Sequence, residues 1–214
     1  PLNQLPPPPP PAPPGSGSIP VSDVPVAPDG GLQLSAVELP RVDFSAATPE
    51  QIAATDWDAT ALSQITPGSV AANTLNWATL PYDSLAPAAF ASIDPQAVDL
   101  ADLDPASIDR IAKAIQFANL VDSPFAVFDG ARRVSGTSDQ IDIVINGGKD
   151  GRAKVSGGVG QDLYLVSKGK KSSLTVKDFE VGSDVVRLDV SADQLDRIRI
   201  KHVGSATRVF FGKD

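Results

Sequence analysis

Apolar and polar positions alternate between Leu32 and Phe44, pairing Leu32 with Leu34, Val37 with Leu39 and Val42 with Phe44. Such a period predicts one or two short half-buried strands. From residue 45 to about 121 the pattern becomes a set of short units in one frame: a small or capping residue, proline, and an apolar residue three positions later. Thr48-Pro-Glu-Gln-Ile, Thr66-Pro-Gly-Ser-Val, Ala86-Pro-Ala-Ala-Phe and Asp104-Pro-Ala-Ser-Ile share it, with Pro49, Pro67, Pro87 and Pro105 spaced by 18, 20 and 18 residues. Thr or Asp before proline is an N-cap followed by the residue best suited to the first helical position, and Thr48 with Gln51 fits a capping box. Units this short cannot bury a face alone, so they are expected to stack as a short solenoid of about four repeats. A plain Ala-rich helical bundle is the alternative. The last unit is the best helix, with Ile108, Ile111, Ala112, Ile115 and Ala118 on one stripe.

After Ser123-Pro124 the character changes. Twelve of the seventeen glycines lie from Gly130 onward, each cluster followed by a run of Val, Ile, Leu or Phe. Residues 140–145, 153–155, 163–166, 173–176, 185–188 and 198–200 read as strands. The front differs again: residues 1–31 hold twelve of the twenty prolines, including the unbroken run Pro6, Pro7, Pro8, Pro9, Pro10 and Pro11. A proline tract prefers an extended polyproline II spacer and is expected to lie on a surface, that of a neighbouring copy included. Three segments follow: a Pro-rich extended arm over 1–31, an Ala-rich repeat region over 32–122 and a β domain over 123–214.

Within the last segment, Gly157-Gly-Val-Gly-Gln-Asp-Leu-Tyr-Leu matches the nonapeptide G-G-x-G-x-D-x-U-x. Val176-Lys-Asp-Phe-Glu-Val-Gly-Ser-Asp-Val-Val-Arg-Leu follows it, resembling I-x-D-F-x-x-G-x-D-x-I-x-L. Together, residues 136–214 resemble the parallel β-roll and C-terminal secretion region of repeats-in-toxin (RTX) proteins, as in serralysin-type secreted proteases. The resemblance implies a mainly β chain with a short helical or mixed repeat region, ending in an RTX-like parallel β-roll with an antiparallel cap. It also implies export by a type I secretion system to the cell surface or beyond.

In that family glycine turns and aspartates hold Ca²⁺ between stacked coils. Carried over, Gly157, Gly158, Gly160 and Asp162 face the neighbourhood of Asp139 and form one weak calcium site. Calcium needs six to eight oxygens, and the ligand set is thin: Arg152 stands where the family places an aspartate. Lys149, Arg152 and Lys154 either oppose the cation or replace it by pairing with the acids. A roll that has largely lost its calcium, its glycines kept for backbone geometry, is the expectation.

Charge adds one feature. The chain is 214 residues long with a formal net charge of −8, which argues against a nucleic-acid partner. Residues 1–100 contain ten acids and one base, whereas residues 101–214 contain sixteen acids and seventeen bases. Acidic and basic ends of successive copies would attract each other head to tail; a solvated acidic face is the plainer alternative. No run reaches the roughly 20 apolar residues of a transmembrane helix, and Cys is absent.

Candidate catalytic chemistry is sparse. His202 is the only histidine and reads as a surface or packing residue. No H-E-x-x-H, P-loop, G-x-S-x-G or Rossmann fingerprint occurs. The Asp94-Pro95 and Asp104-Pro105 bonds read as helix caps; cleavage at Asp-Pro, as in some RTX-like proteins, is the alternative use. The expectation is a secreted, non-enzymatic structural protein that associates with copies of itself into a filament or layer. The alternative is an adhesin or carbohydrate-binding module of a larger exoprotein, with Trp57, Trp77, Tyr82 and Phe90 as a sugar-stacking stripe. A third reading, the secretion end of an enzyme, is weaker.

Overall fold

The computed structural model describes residues 17–118, 123–130, 133–137, 140–146, 152–167, 173–189, 198–204 and 206–211. The front begins with a two-residue strand β1 (Ile19–Pro20), paired in parallel with β2 (Val42–Asp43). The alternating stretch between them forms 3-10 turns over Leu34–Ala36 and Leu39–Arg41 rather than longer strands. Its apolar residues are nonetheless buried: Leu32, Leu34, Leu39, Val42 and Phe44 all point into the core.

Five α-helices follow: α1 (Pro49–Ala54), α2 (Ala59–Gln64), α3 (Val70–Thr74), α4 (Pro87–Ala91) and α5 (Pro105–Ala118). Thr48 and Gln51 form a reciprocal capping box on α1, each side chain bonded to the other's backbone N–H at 3.2 and 2.9 Å. The second unit departs from its expected start. Thr66-Pro67-Gly68 is a turn with Gly68 at φ 78°, and the cap of α3 is Ser69, whose hydroxyl accepts from Ala72 N–H at 3.1 Å. Asp94 and Asp104 accept N–H bonds from Gln96 and Ser107, as capping predicts. The repeat shows in the tryptophans: Trp57 donates its indole N–H to Ile52 O, and Trp77 donates to Ala72 O, each five residues back.

The rear strands alternate between two sheets. The first contains β3 (Phe125–Asp129), β5 (Ile141–Asn146), β7 (Leu163–Ser167) and β9 (Val185–Asp189), all parallel and in that order. The second has the order β10-β11-β8-β6-β4, with β4 (Arg133–Ser135), β6 (Arg152–Ser156) and β8 (Ser173–Val176) parallel. It is completed by antiparallel β11 (Ala206–Phe211) and β10 (Ile198–Val203).

Side chains alternate across a strand, and here both faces of the first sheet are used. Ile141, Ile143, Leu163, Leu165 and Phe125 join the helical layer in one core with Trp77, Tyr82, Phe90 and Ile111. The intervening Val144, Tyr164 and Val166 meet Val134, Ala153, Val155, Leu174 and Val176 of the second sheet. Edge-to-face contacts of Tyr82, Phe90 and Phe125, with centroids 5.7–6.2 Å apart, join the helical layer to β3. Arg187 on β9 also donates to Ala101 O at 2.5 Å.

The expected mainly β chain ending in an RTX-like β-roll is therefore corrected. The molecule is a mixed α/β fold of helical layer, parallel sheet and second sheet, and no β-roll is evident. Two physical differences explain the outcome. A roll leaves the outer faces of its sheets to water, but the continuous apolar runs of β5 and β7 are covered on both sides, as parallel sheets usually are. Nonapeptide coils would return every 18 residues, whereas equivalent positions here are bonded across 20 and 22 residues. Within the expected proline-rich arm Val21 and Val24 are buried, while Pro6 to Pro11 lie outside the described residues.

Candidate functional site

Asp142, Asp162 and Asp184 stand one position before Ile143, Leu163 and Val185, which are mutual register partners on β5, β7 and β9. The sheet therefore stacks the three aspartates at the strand spacing of about 4.8 Å, and they are only 0, 1 and 8% exposed. Backbone amides hold them. Asp162 Oδ1 accepts the N–H of Asp142 at 3.2 Å, and Asp184 Oδ1 accepts the N–H of Asp162 at 3.1 Å. The ends are closed by turns: Asp142 accepts from Thr137 N–H at 2.7 Å, and Asp184 accepts from Glu180 N–H at 2.8 Å. A fourth aspartate, Asp178, accepts Gly157 N–H at 3.1 Å, Gly158 N–H at 3.0 Å and the Ser156 hydroxyl.

Glycine is required where this stack meets the turn. A Cβ at Gly157 would fall under 3.0 Å from both the Asp162 carboxylate and the Tyr164 hydroxyl. At Gly158, φ is +101° and a Cβ would press on the Thr137 carbonyl. Tyr164 itself is fully buried, and its hydroxyl has no hydrogen-bond partner among the described residues.

Burial raises the Asp162 carboxyl to about 7; the Asp142 amide opposes the rise, and the carboxylates of Asp184, Asp142 and Asp178 add to it. Asp184 is also raised, by burial first and then by Glu180 and Asp178. The Tyr164 phenol is pushed up by burial and by the same four aspartates. A stack of this kind is relieved by a proton or by a cation.

The residues expected to hold calcium are placed as follows. Asp162 faces the Asp142 amide, and Gly157 and Gly158 turn their N–H groups, not their carbonyls, toward Asp178. Gly160, at φ +125°, serves the turn, and Asp139 lies outside the described residues. No group of three acidic or histidine side chains suited to a metal occurs among the described residues. Asp142, Asp178 and Asp184 were missed as a set by sequence reasoning. The available signal was an aspartate placed one residue before the apolar runs of β5, β7 and β9.

The other candidates separate from this stack. His202 is exposed on β10, in register with Thr207 on β11. Trp57, Trp77, Tyr82 and Phe90 are 3, 1, 0 and 1% exposed, so they form core and not a surface stripe. A polar cleft of about 270 Å³ lies in the helical layer, lined by Asp29, Asp56, Asp58, Gln33 and Gln64 among others. No helix among the described residues is long and apolar enough to cross a membrane. Searched against known proteins, the chain matches no family model, no curated protein and no solved structure.

Proposed function

We propose that this chain is a non-catalytic structural protein that associates with copies of itself. The observation that carries the reading is the separation of charge across the layers. The helical layer belongs to the acidic half of the chain, with ten acids and one base in residues 1–100. At the other side of the layer stack, the five strands of the second sheet contain six Lys or Arg and no Asp or Glu. A molecule polarised in this way attracts its own kind through unlike faces, which is a head-to-tail contact. Among the described residues the sheets add flanking strands as pairing edges, β3 and β9 on the first and β4 and β10 on the second.

The buried aspartates support the same reading because they bond backbone amides inside the fold, where no substrate reaches them. A place outside the cell rests on the motif resemblance of residues 136–214 alone; fractionating cells that express the protein tests it, and retention of the whole pool in cytosol refutes it. Negative-stain microscopy of the concentrated chain at low salt tests the assembly itself. Oligomers or fibres are expected, and a monomer at every concentration and salt would end the proposal. The adhesin alternative loses its aromatic platform, because both tryptophans are core residues.

A further inference from the structure

The backbone register of the second sheet lines up its bases. Arg133 on β4 is opposite Lys154 on β6, Lys154 opposite Thr175 on β8, Thr175 opposite Arg208 on β11, and Arg208 opposite Lys201 on β10. One row across five strands therefore contains four bases at successive strand spacings of about 4.8 Å. A second register row, Arg152, Ser173, Phe210 and Arg199, contributes two more. Arg133 and Lys154 are exposed, while their neighbours Val134, Ala153 and Val155 are buried between the sheets. Arg133, Lys154 and Lys201, all exposed, consequently mark the outer face, turned away from the first sheet and from the helical layer behind it.

We infer that this basic row of the second sheet docks on the acidic helical layer of a second copy, at the cleft lined by Asp29, Asp56 and Asp58. The inference rests on the self-association reading and names its two surfaces. Three observations select a second copy as the occupant. The chain itself offers a complementary surface, since its first hundred residues have a formal charge near −9. The cleft, about 270 Å³, has three aspartates and no Lys or Arg in its lining and is large enough to admit a basic side chain. A long polyanion is disfavoured by the net charge of −8, which repels it everywhere except on this face. Because the row and the cleft are different surfaces, each copy presents one of each and the contact propagates instead of closing in a pair.

Sedimentation velocity of the full chain tests the inference, between about 0.01 M and about 1 M salt, where the Debye length falls from about 30 Å to about 3 Å. Wild type is expected to form species beyond the dimer at low salt and monomers at high salt. Arg133→Glu/Lys154→Glu should weaken association at least tenfold, and so should Asp29→Asn/Asp56→Asn; all four sites are exposed, and circular dichroism checks that each variant folds. An equimolar mixture of the two variants contains one intact row and one intact cleft, so it should give dimers and nothing larger. Undiminished association of the row variant overturns the docking face while leaving self-assembly standing. Wild type that stays monomeric at all salts overturns both, and row-dependent binding of monomers to an anionic polysaccharide or vesicle would reassign the face.

Discussion

Replacing Asp162 by Asn tests whether the aspartate stack holds a proton in place of an ion. The side chain is 1% exposed, and its carboxyl sits near 7 in the fold against an ordinary 3.8. A group whose folded value is raised binds its proton more tightly folded than unfolded, so stability falls as pH rises. The penalty is absent below about 3.8, grows between about pH 4 and 7, and is complete above that. A shift of about three pH units corresponds to about 4 kcal/mol. Screening at the neighbouring turn, where Gly158, Gly160 and Asp178 are half-buried, reduces this to between about 2 and 4 kcal/mol. Asn retains a carbonyl oxygen for the Asp142 amide and carries no charge beside Asp142, Asp178 and Asp184. Urea unfolding from pH 4 to pH 8, followed by far-ultraviolet circular dichroism, should therefore show Asp162→Asn gaining on wild type by that amount across the range. Parallel curves for the two proteins would refute the reasoning, because they would mean that Asp162 is ionised throughout or paired with a cation outside this account.

Gly158 and Gly182 separate backbone strain from crowding: both have positive φ, at 101° and 96°, but a Cβ at Gly182 meets nothing within 4 Å. Gly182→Ala should cost about 1–2 kcal/mol from strain alone, and Gly158→Ala a further 1–3 kcal/mol from overpacking against Thr137; equal urea midpoints would contradict the crowding at Gly158. Tyr164→Phe removes a buried hydroxyl with no described partner, so stability should hold or rise by about 1 kcal/mol. A loss above about 1 kcal/mol in the same assay would mean that a water or ion bonds this oxygen. Ser69→Ala should cost about 1 kcal/mol as a lost N-cap, whereas Thr66→Ala, outside the helix, should leave the thermal midpoint within experimental scatter.

The strands were legible because their signals are local. Runs such as Ile143–Ile145 and Leu163–Val166 are short, apolar and bounded by polar residues, so β5 and β7 fall where the pattern places them. The layer order was not legible. A continuous apolar strand is compatible with a roll interior, a sandwich or a sheet covered on both faces, and only the partner that takes Ile143 and Leu165 decides among them. Here the partner is the helical layer, more than 20 residues away in sequence. The same limit applied to the stack: Asp162 stood out through its glycine turn, but Asp142 and Asp184 gain meaning only when register places them on either side of it. The front misled differently. Leu32–Phe44 alternates as a strand does, yet Pro40 and the tight spacing favour 3-10 turns, which bury the same residues without a ladder.

Burial also changes what charge counting means for this chain. Residues 101–214 are close to neutral by count, with sixteen acids and seventeen bases, which conceals a polar arrangement. Asp142, Asp162 and Asp184 are spent on amides inside the first sheet, and Asp102, Asp104 and Asp109 belong to the helical side. The three buried aspartates give their oxygens to backbone amides, whereas Arg133 and Lys154 are exposed on the outer face of the second sheet. Exposed charges more than a Debye length apart scarcely interact at about 0.15 M salt, where that length is about 8 Å. The row's field is thus set by its neighbours on the same face and not by the balance of the segment. That locality makes a near-neutral half of the chain capable of an attraction sensitive to salt, and it locates the attraction on the strands without a carboxylate.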